Sequence, residues 1–166
     1  MTYKIVLALL FVLVLATEET SATPAPTMQP TPTASVRAAD DTVLLTTLGY
    51  TTGESVLLTH MAVGTLADAY VSKAYKKDQA TTFIDSYINI TKGMKDKMKK
   101  LVDEGTLGKS DLEIVGNTIA VLDLVLREAG DLKNYINSSK QADAQAYDSS
   151  RKKALKEIKT LLSIKD

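Results

Sequence analysis

From Asp40 to the end of the chain, apolar residues recur at spacings of three and four and no proline interrupts them, the pattern of amphipathic helix rather than strand. Capping signals divide this stretch. Thr51-Thr52-Gly53-Glu54 and Ser110-Asp111-Leu112-Glu113 fit the Ser/Thr-x-x-Glu box, in which a hydroxyl and a carboxylate each accept from a free N–H at a helix start, and Ser138-Ser139-Lys140-Gln141 fits its glutamine form. Asp78 offers a further start, and Gly105 and Asn137 offer stops because both tolerate left-handed backbone. The predicted helices run over about 52–77, 79–104, 111–137 and 139–165. At 1.5 Å per residue each is roughly 39 Å long, so they are matched in length and joined by short connections. An all-α fold follows, an antiparallel up-down-up-down four-helix bundle occupying 40–166. The segment 40–50, with Val43, Leu44, Leu45 and Leu48, reads as a short helix capping one end. The weakest boundary is Lys76 to Gln79, which holds neither glycine nor proline. If the helix ran on there, a rod of about 50 residues would need a partner chain to cover it.

Seams run along the predicted helices. Ala80, Phe83, Tyr87, Ile90, Met94 and Leu101 form one; Leu112, Val115, Ile119, Leu122, Leu126, Ala129 and Ile136 a second; Ala144, Tyr147, Ala154, Ile158 and Leu161 a third. The first helix is apolar more broadly and should be the most buried. Gly64, Gly93 and Gly116 each cost about 1 kcal/mol in a helix interior relative to alanine, which points to close approach between backbones.

The N-terminus has a different character. Lys4 precedes an unbroken apolar run from Ile5 to Ala16, too short to span a bilayer comfortably and followed by small residues. This is the pattern of a signal peptide over 1–22, cut after 16 or after 22; the competing reading is an uncleaved anchor, the only route by which the protein would contact a membrane directly. Residues 23–39 hold all four prolines among Thr, Ala and Ser, a composition that cannot bury enough surface to offset its ordering entropy and reads as a disordered linker or stalk. The body is therefore expected outside the cytoplasm: secreted, periplasmic or on the cell surface.

Composition narrows the chemistry. With no cysteine and one histidine, disulfide scaffolds, thiolate metal sites, iron–sulfur clusters and multi-imidazole sites are excluded, and no metal site is expected. Twenty Lys plus Arg balance twenty Asp plus Glu, which gives no general reason to bind nucleic acid. The third helix is net acidic and the fourth net basic, so their pairing should be favoured over misassembly. Lysines of the second helix and the Arg151 to Lys159 cluster form candidate patches for anionic glycans or headgroups.

His60 lies on the apolar stripe of the first helix, and counting from the helix ends puts Met98 of the second helix near its level. A His and a Met on facing helices are a ligand set for haem b, set against the plainer reading of a hydrogen-bonded core histidine and a core-filling methionine. Tyr70, Tyr87 and Tyr147 lie near the seams and either reach polar partners or line a ligand cavity between helices. Asp68 and Asp123 flank apolar positions. No nucleophile elbow, phosphate loop, dinucleotide glycine pattern or zinc-protease motif is present, so no catalytic residue is assigned. The expected role is non-enzymatic: a helical module that binds a protein, glycan or envelope partner. The alternatives are a small-ligand or haem-binding bundle using the interhelical core, and a bundle that opens on lipid.

Overall fold

The computed structural model describes residues 34–165. Four α-helices account for most of them: α1 (Ala34–Val71), α2 (Lys77–Asp103), α3 (Lys109–Ser138) and α4 (Gln141–Leu161), with no strand among the described residues. The signal-peptide reading and all but the end of the linker reading fall outside these residues. No described helix is long and apolar enough to cross a membrane.

The first helix departs most from expectation. It starts at Ala34, takes in the last residues of the segment read as linker, and passes without a break through 40–50 and through Thr51-Thr52-Gly53-Glu54. The expected short capping helix and the expected start at 52 are therefore both corrected. The hydroxyls supply the reason: those of Thr47, Thr51, Ser55 and Thr59 each donate to the carbonyl four residues back at 2.8 Å, so Thr51 closes on its own helix instead of capping a new one.

The boundary after α1 is real, and no single continuous rod forms. Lys73 adopts left-handed backbone at φ 63°, and the N–H groups of Ala74 and Tyr75 both donate to the Ala69 carbonyl, which closes the helix end. The Lys76 N–H then donates to the Gln79 side chain at 3.0 Å and α2 begins, with the Tyr75 and Phe83 rings 5.2 Å apart across the turn. Gly105 ends the next turn at φ 67°, as its sequence signal suggests. Ser139, rather than Asn137, takes the left-handed position after α3, and Lys140, not Ser138, caps α4. Gly108 caps α3, so Ser110 lies inside the helix and forms no box.

Side-chain contacts fix the helix directions. Asp85 pairs with Lys133 and Lys95 with Asp123, so progress along α2 is retreat along α3. Gly53 lies against Leu162 and Gly64 against Arg151, so α1 and α4 also run oppositely. His60 meets Glu128 and Tyr70 meets Ile136, so α1 and α3 run the same way. These two approach each other directly while the α2 and α4 backbones stay farther apart, which flattens the cross-section along one diagonal. Lysine–carboxylate pairs tie α2 to α3 through Lys95–Asp123 and Lys133–Asp85.

On α2 the buried positions are Ala80, Ile84, Thr91 and Met98, with Tyr87, Met94 and Leu101 half-buried against the core; Phe83 and Ile90, expected inside, are exposed, as is Leu112 of α3. Thr91 is tolerated inside because its hydroxyl donates to the Tyr87 carbonyl at 2.7 Å. The core falls into two clusters. One gathers Val56, Met98, Val115, Val121, Leu122, Val125, Ala154 and Ile158; the other gathers Val63, Leu66, Ala67, Ala80, Ile84, Ala129, Leu132 and Ile136.

Candidate functional site

Between these clusters lies a polar layer. On α1, His60 stands between Val56 and Val63; on α3, Glu128 stands between Val125 and Ala129; on α4, Tyr147 and Arg151 precede Ala154. His60 is 3 % exposed and Glu128 is fully buried, and Nδ1 of the imidazole lies 2.7 Å from Oε2 of the carboxylate. An imidazole N–H donating to a carboxylate fixes which ring nitrogen carries the proton. The second oxygen, Oε1, is buried and accepts no hydrogen bond. Arg151 completes the layer: its Nη1 donates to the Tyr147 hydroxyl at 2.9 Å. A Cβ on Gly64 would fall inside its guanidinium, so the glycine four residues after His60 makes room for Arg151.

The electrostatics follow from this crowding. Burial raises the Glu128 carboxyl above its ordinary 4.5, opposed by the hydrogen bond and charge of His60 and the charge of Arg151. Burial likewise raises the Tyr147 phenol, so it stays protonated beside Arg151. For Arg151 itself burial acts downward, but the Tyr147 hydroxyl and the charges of Glu128 and Asp68 outweigh it and raise the guanidinium.

The sign for stability is definite. The folded state holds the Glu128 proton more tightly than the unfolded chain, so this group's contribution is complete below pH 4.5 and is lost as pH rises through the raised folded value. Glu128→Gln keeps the size and a hydrogen-bonding group for His60 but cannot ionise. Thermal melts from pH 4 to pH 8 should therefore show the wild type losing midpoint relative to Glu128→Gln as pH rises; parallel curves would contradict this.

A second feature opens where α4 ends. Because α1 continues past the end of α4, the inner face of its Leu45–Gly53 stretch, the α3 residues from Ser110 to Leu124 and the end of α4 enclose a groove of about 1020 Å³. Its apolar lining includes Met98, Ile114, Val115, Val121, Leu161 and Leu162, and Lys153 and Glu157 lie on its α4 side.

The structure distributes the sequence-derived site residues over both features and the core. Met98 lines the groove, but His60, Tyr70, Tyr87 and Tyr147 do not. His60 and Tyr147 belong to the polar layer. Tyr70 donates to the Ile136 carbonyl at 3.1 Å and meets Tyr135 edge-on, and Tyr87 packs half-buried against the second cluster. The five residues thus fall in different places: Met98 on the groove, His60 and Tyr147 in the polar layer, and Tyr70 and Tyr87 beside the second cluster. Asp68 and Asp123 are exposed, the latter paired with Lys95. Arg151, read as part of a surface cluster, turns inward.

Glu128 and the role of Gly64 were missed from sequence, as was the groove. The first two had a signal: Glu128 falls on the Val125, Ala129, Leu132 stripe, and Gly64 stands one turn after the lone histidine. Gly93 and Gly116, read with Gly64 as close-approach points between backbones, face open space, and Gly64 admits a side chain rather than a backbone. Among the described residues, no group of three or more His, Cys, Asp or Glu could hold a metal ion. Set against family models, curated proteins and solved structures, the chain matches none of them.

Proposed function

We propose that this chain is an exported, non-enzymatic binding module, an antiparallel up-down-up-down four-helix bundle carried outside the cytoplasm on a Thr/Pro-rich segment. Its ligand is an elongated amphiphile, such as a long-chain acyl compound from the cell envelope, whose apolar body occupies the groove beyond the end of α4. The observation that carries this reading is the groove. At about 1020 Å³ it stands at the upper end of the range for small-ligand sites, and it follows α3 from Ser110 to Leu124, roughly 20 Å at helical rise. An acyl chain matches that length and that apolar lining, and Lys153 with Glu157 offers polar contacts to its head.

Export is supported by the basic start and apolar run of residues 1–16 and by the absence of cysteine from the chain. A non-enzymatic role is supported by the polar layer, whose imidazole and carboxylate are turned on each other rather than toward the groove.

Gly49 lines the groove and has nothing within 4 Å of where its Cβ would lie, so Gly49→Trp fills the groove without disturbing the core. Titration with a fluorescent long-chain fatty acid should give saturable binding to the wild type and at least a ~10-fold loss in Gly49→Trp, about 1.4 kcal/mol. Gly93→Trp on α2, also in open space, should bind as the wild type does. No binding to the wild type, or equal binding to Gly49→Trp, would refute the reading.

A further inference from the structure

Resting on the reading of the groove as an amphiphile site, we infer that the ligand carries a phosphate-type dianionic head, held in a lysine-lined cleft on the outward side of the α4 end. The cleft has a volume of about 550 Å³ and is lined by Lys152, Lys156, Lys159, Thr160, Ser163 and Lys165 beside two aliphatic residues, with no carboxylate in its wall. Thr160 and Ser163 line the groove as well, so the two spaces meet along one edge. A chain lying in the groove can therefore pass its head over that edge without entering the core.

Helix periodicity and a turn bring the lysines together. Lys152, Lys156 and Lys159 recur at four and three residues, on the side of α4 away from the buried Ala154 and Ile158. Left-handed backbone at Ser163, φ 54°, turns the chain after α4, and the Ile164 N–H donates to the Lys159 carbonyl at 2.9 Å. Lys165 is thereby brought onto the same cleft. Thr160 donates its hydroxyl to the Lys156 carbonyl at 3.1 Å, and the exposed Ser163 hydroxyl stands at the shared edge as a neutral donor.

Charge selects the head. Lys152 pairs with Asp148 at 2.6 Å, and Lys159, the basic residue of the last turn, complements the negative end of the helix. Lys156 stands before that turn and Lys165 beyond it, and neither pairs with a carboxylate among the described residues. Two ammonium groups thus border the cleft without a counter-charge. A fatty carboxylate supplies one negative charge, whereas a phosphate monoester supplies about 1.5 to 2 at pH 7. The charged lining of the groove itself makes no such choice, since Lys153 is set against Glu157 and Asp111. Phosphate also suits lysine, whose compact ammonium binds as a point charge and requires no planar, two-point fit.

Calorimetric titration of the full chain at pH 8 tests this with dodecyl phosphate and the uncharged dodecyl maltoside, which share a chain and differ in the head. Both are kept below micelle formation, so the head is read on a monomer and not on a membrane. The wild type should bind the phosphate about 10-fold more tightly than the maltoside, the effect expected of two exposed charge contacts. Lys156→Gln/Lys165→Gln should bring the two heads within about 3-fold of each other and leave the maltoside affinity unchanged. Both lysines are exposed, so the fold should be retained, and circular dichroism on the same samples checks this. Lys92→Gln/Lys140→Gln removes the same net charge from exposed positions away from the cleft and should keep the preference. Equal affinity of the wild type for both heads, or a preference that survives in Lys156→Gln/Lys165→Gln, would overturn the inference and leave the groove reading standing. Binding of neither amphiphile would overturn both.

Discussion

Replacing His60 with leucine should destabilise the fold by about 3–5 kcal/mol at pH 7, the expected result of removing the one side-chain partner of a fully buried carboxyl. Glu128 would keep its carboxylate fully buried with neither oxygen accepting from the imidazole. Because His60 is what chiefly opposes the effect of burial on this carboxyl, its removal raises the folded value further. The penalty should accordingly shrink as pH falls toward 4.5, where the unfolded chain protonates its own glutamates. Urea unfolding midpoints at pH 7 and pH 5 measure both statements. The double variant His60→Leu/Glu128→Leu removes both polar groups and should return to within about 1 kcal/mol of the wild type or exceed it, since apolar packing often equals or surpasses a buried pair. A single variant as stable as the wild type at pH 7 would show that His60 does not hold Glu128 in solution.

This makes specificity, rather than net stability, the role for which the layer is suited. Two hydrophobic clusters of similar character lie above and below it, and a helix slipping by one turn could exchange one for the other. A single level at which imidazole, carboxylate and guanidinium must coincide penalises such slips, in the way a lone polar residue sets register in a coiled coil.

Gly64→Ala should have the opposite sign to alanine at the other interior glycines. At Gly93 and Gly116 a Cβ meets nothing within 4 Å, so alanine gains helix propensity and stabilises by about 0.5–1 kcal/mol. At Gly64 the same methyl displaces the Arg151 guanidinium, with loss of its hydrogen bond to Tyr147 and of its charge beside Glu128. Arginine is flexible and can swing toward water, so the expected net cost is about 1–2 kcal/mol, not a collapse. Arg151→Ala removes the obstruction, and a double-mutant cycle should show coupling of about 1–3 kcal/mol between the two sites. Zero coupling would mean that Arg151 does not occupy the space above Gly64.

Fold class was legible because helical periodicity is local. A repeat of three and four, absent proline and a glycine at 105 identify helices wherever they pack, and the short connections identify their neighbours. The α1 start was not legible, because Thr51 and Glu54 carry a cap's chemistry, and only the surrounding backbone decides whether a threonine hydroxyl caps a new helix or closes on the turn behind it. The α2 seam was misread at two positions for a related reason: Phe83 and Ile90 are greasier than Thr91, and hydrophobicity alone ranks them as core. Their exposure depends on which side α3 occupies.

What the sequence determined by itself is a helical chain with a separate N-terminal character, one histidine on an apolar stripe and no catalytic motif. Only the tertiary structure decided that the histidine meets Glu128, that Gly64 admits Arg151, and that α1 outruns α4 and so leaves a groove. Periodicity says which residues share a face, but the level at which faces from distant helices coincide is set by packing, and chemistry between helices depends on that level.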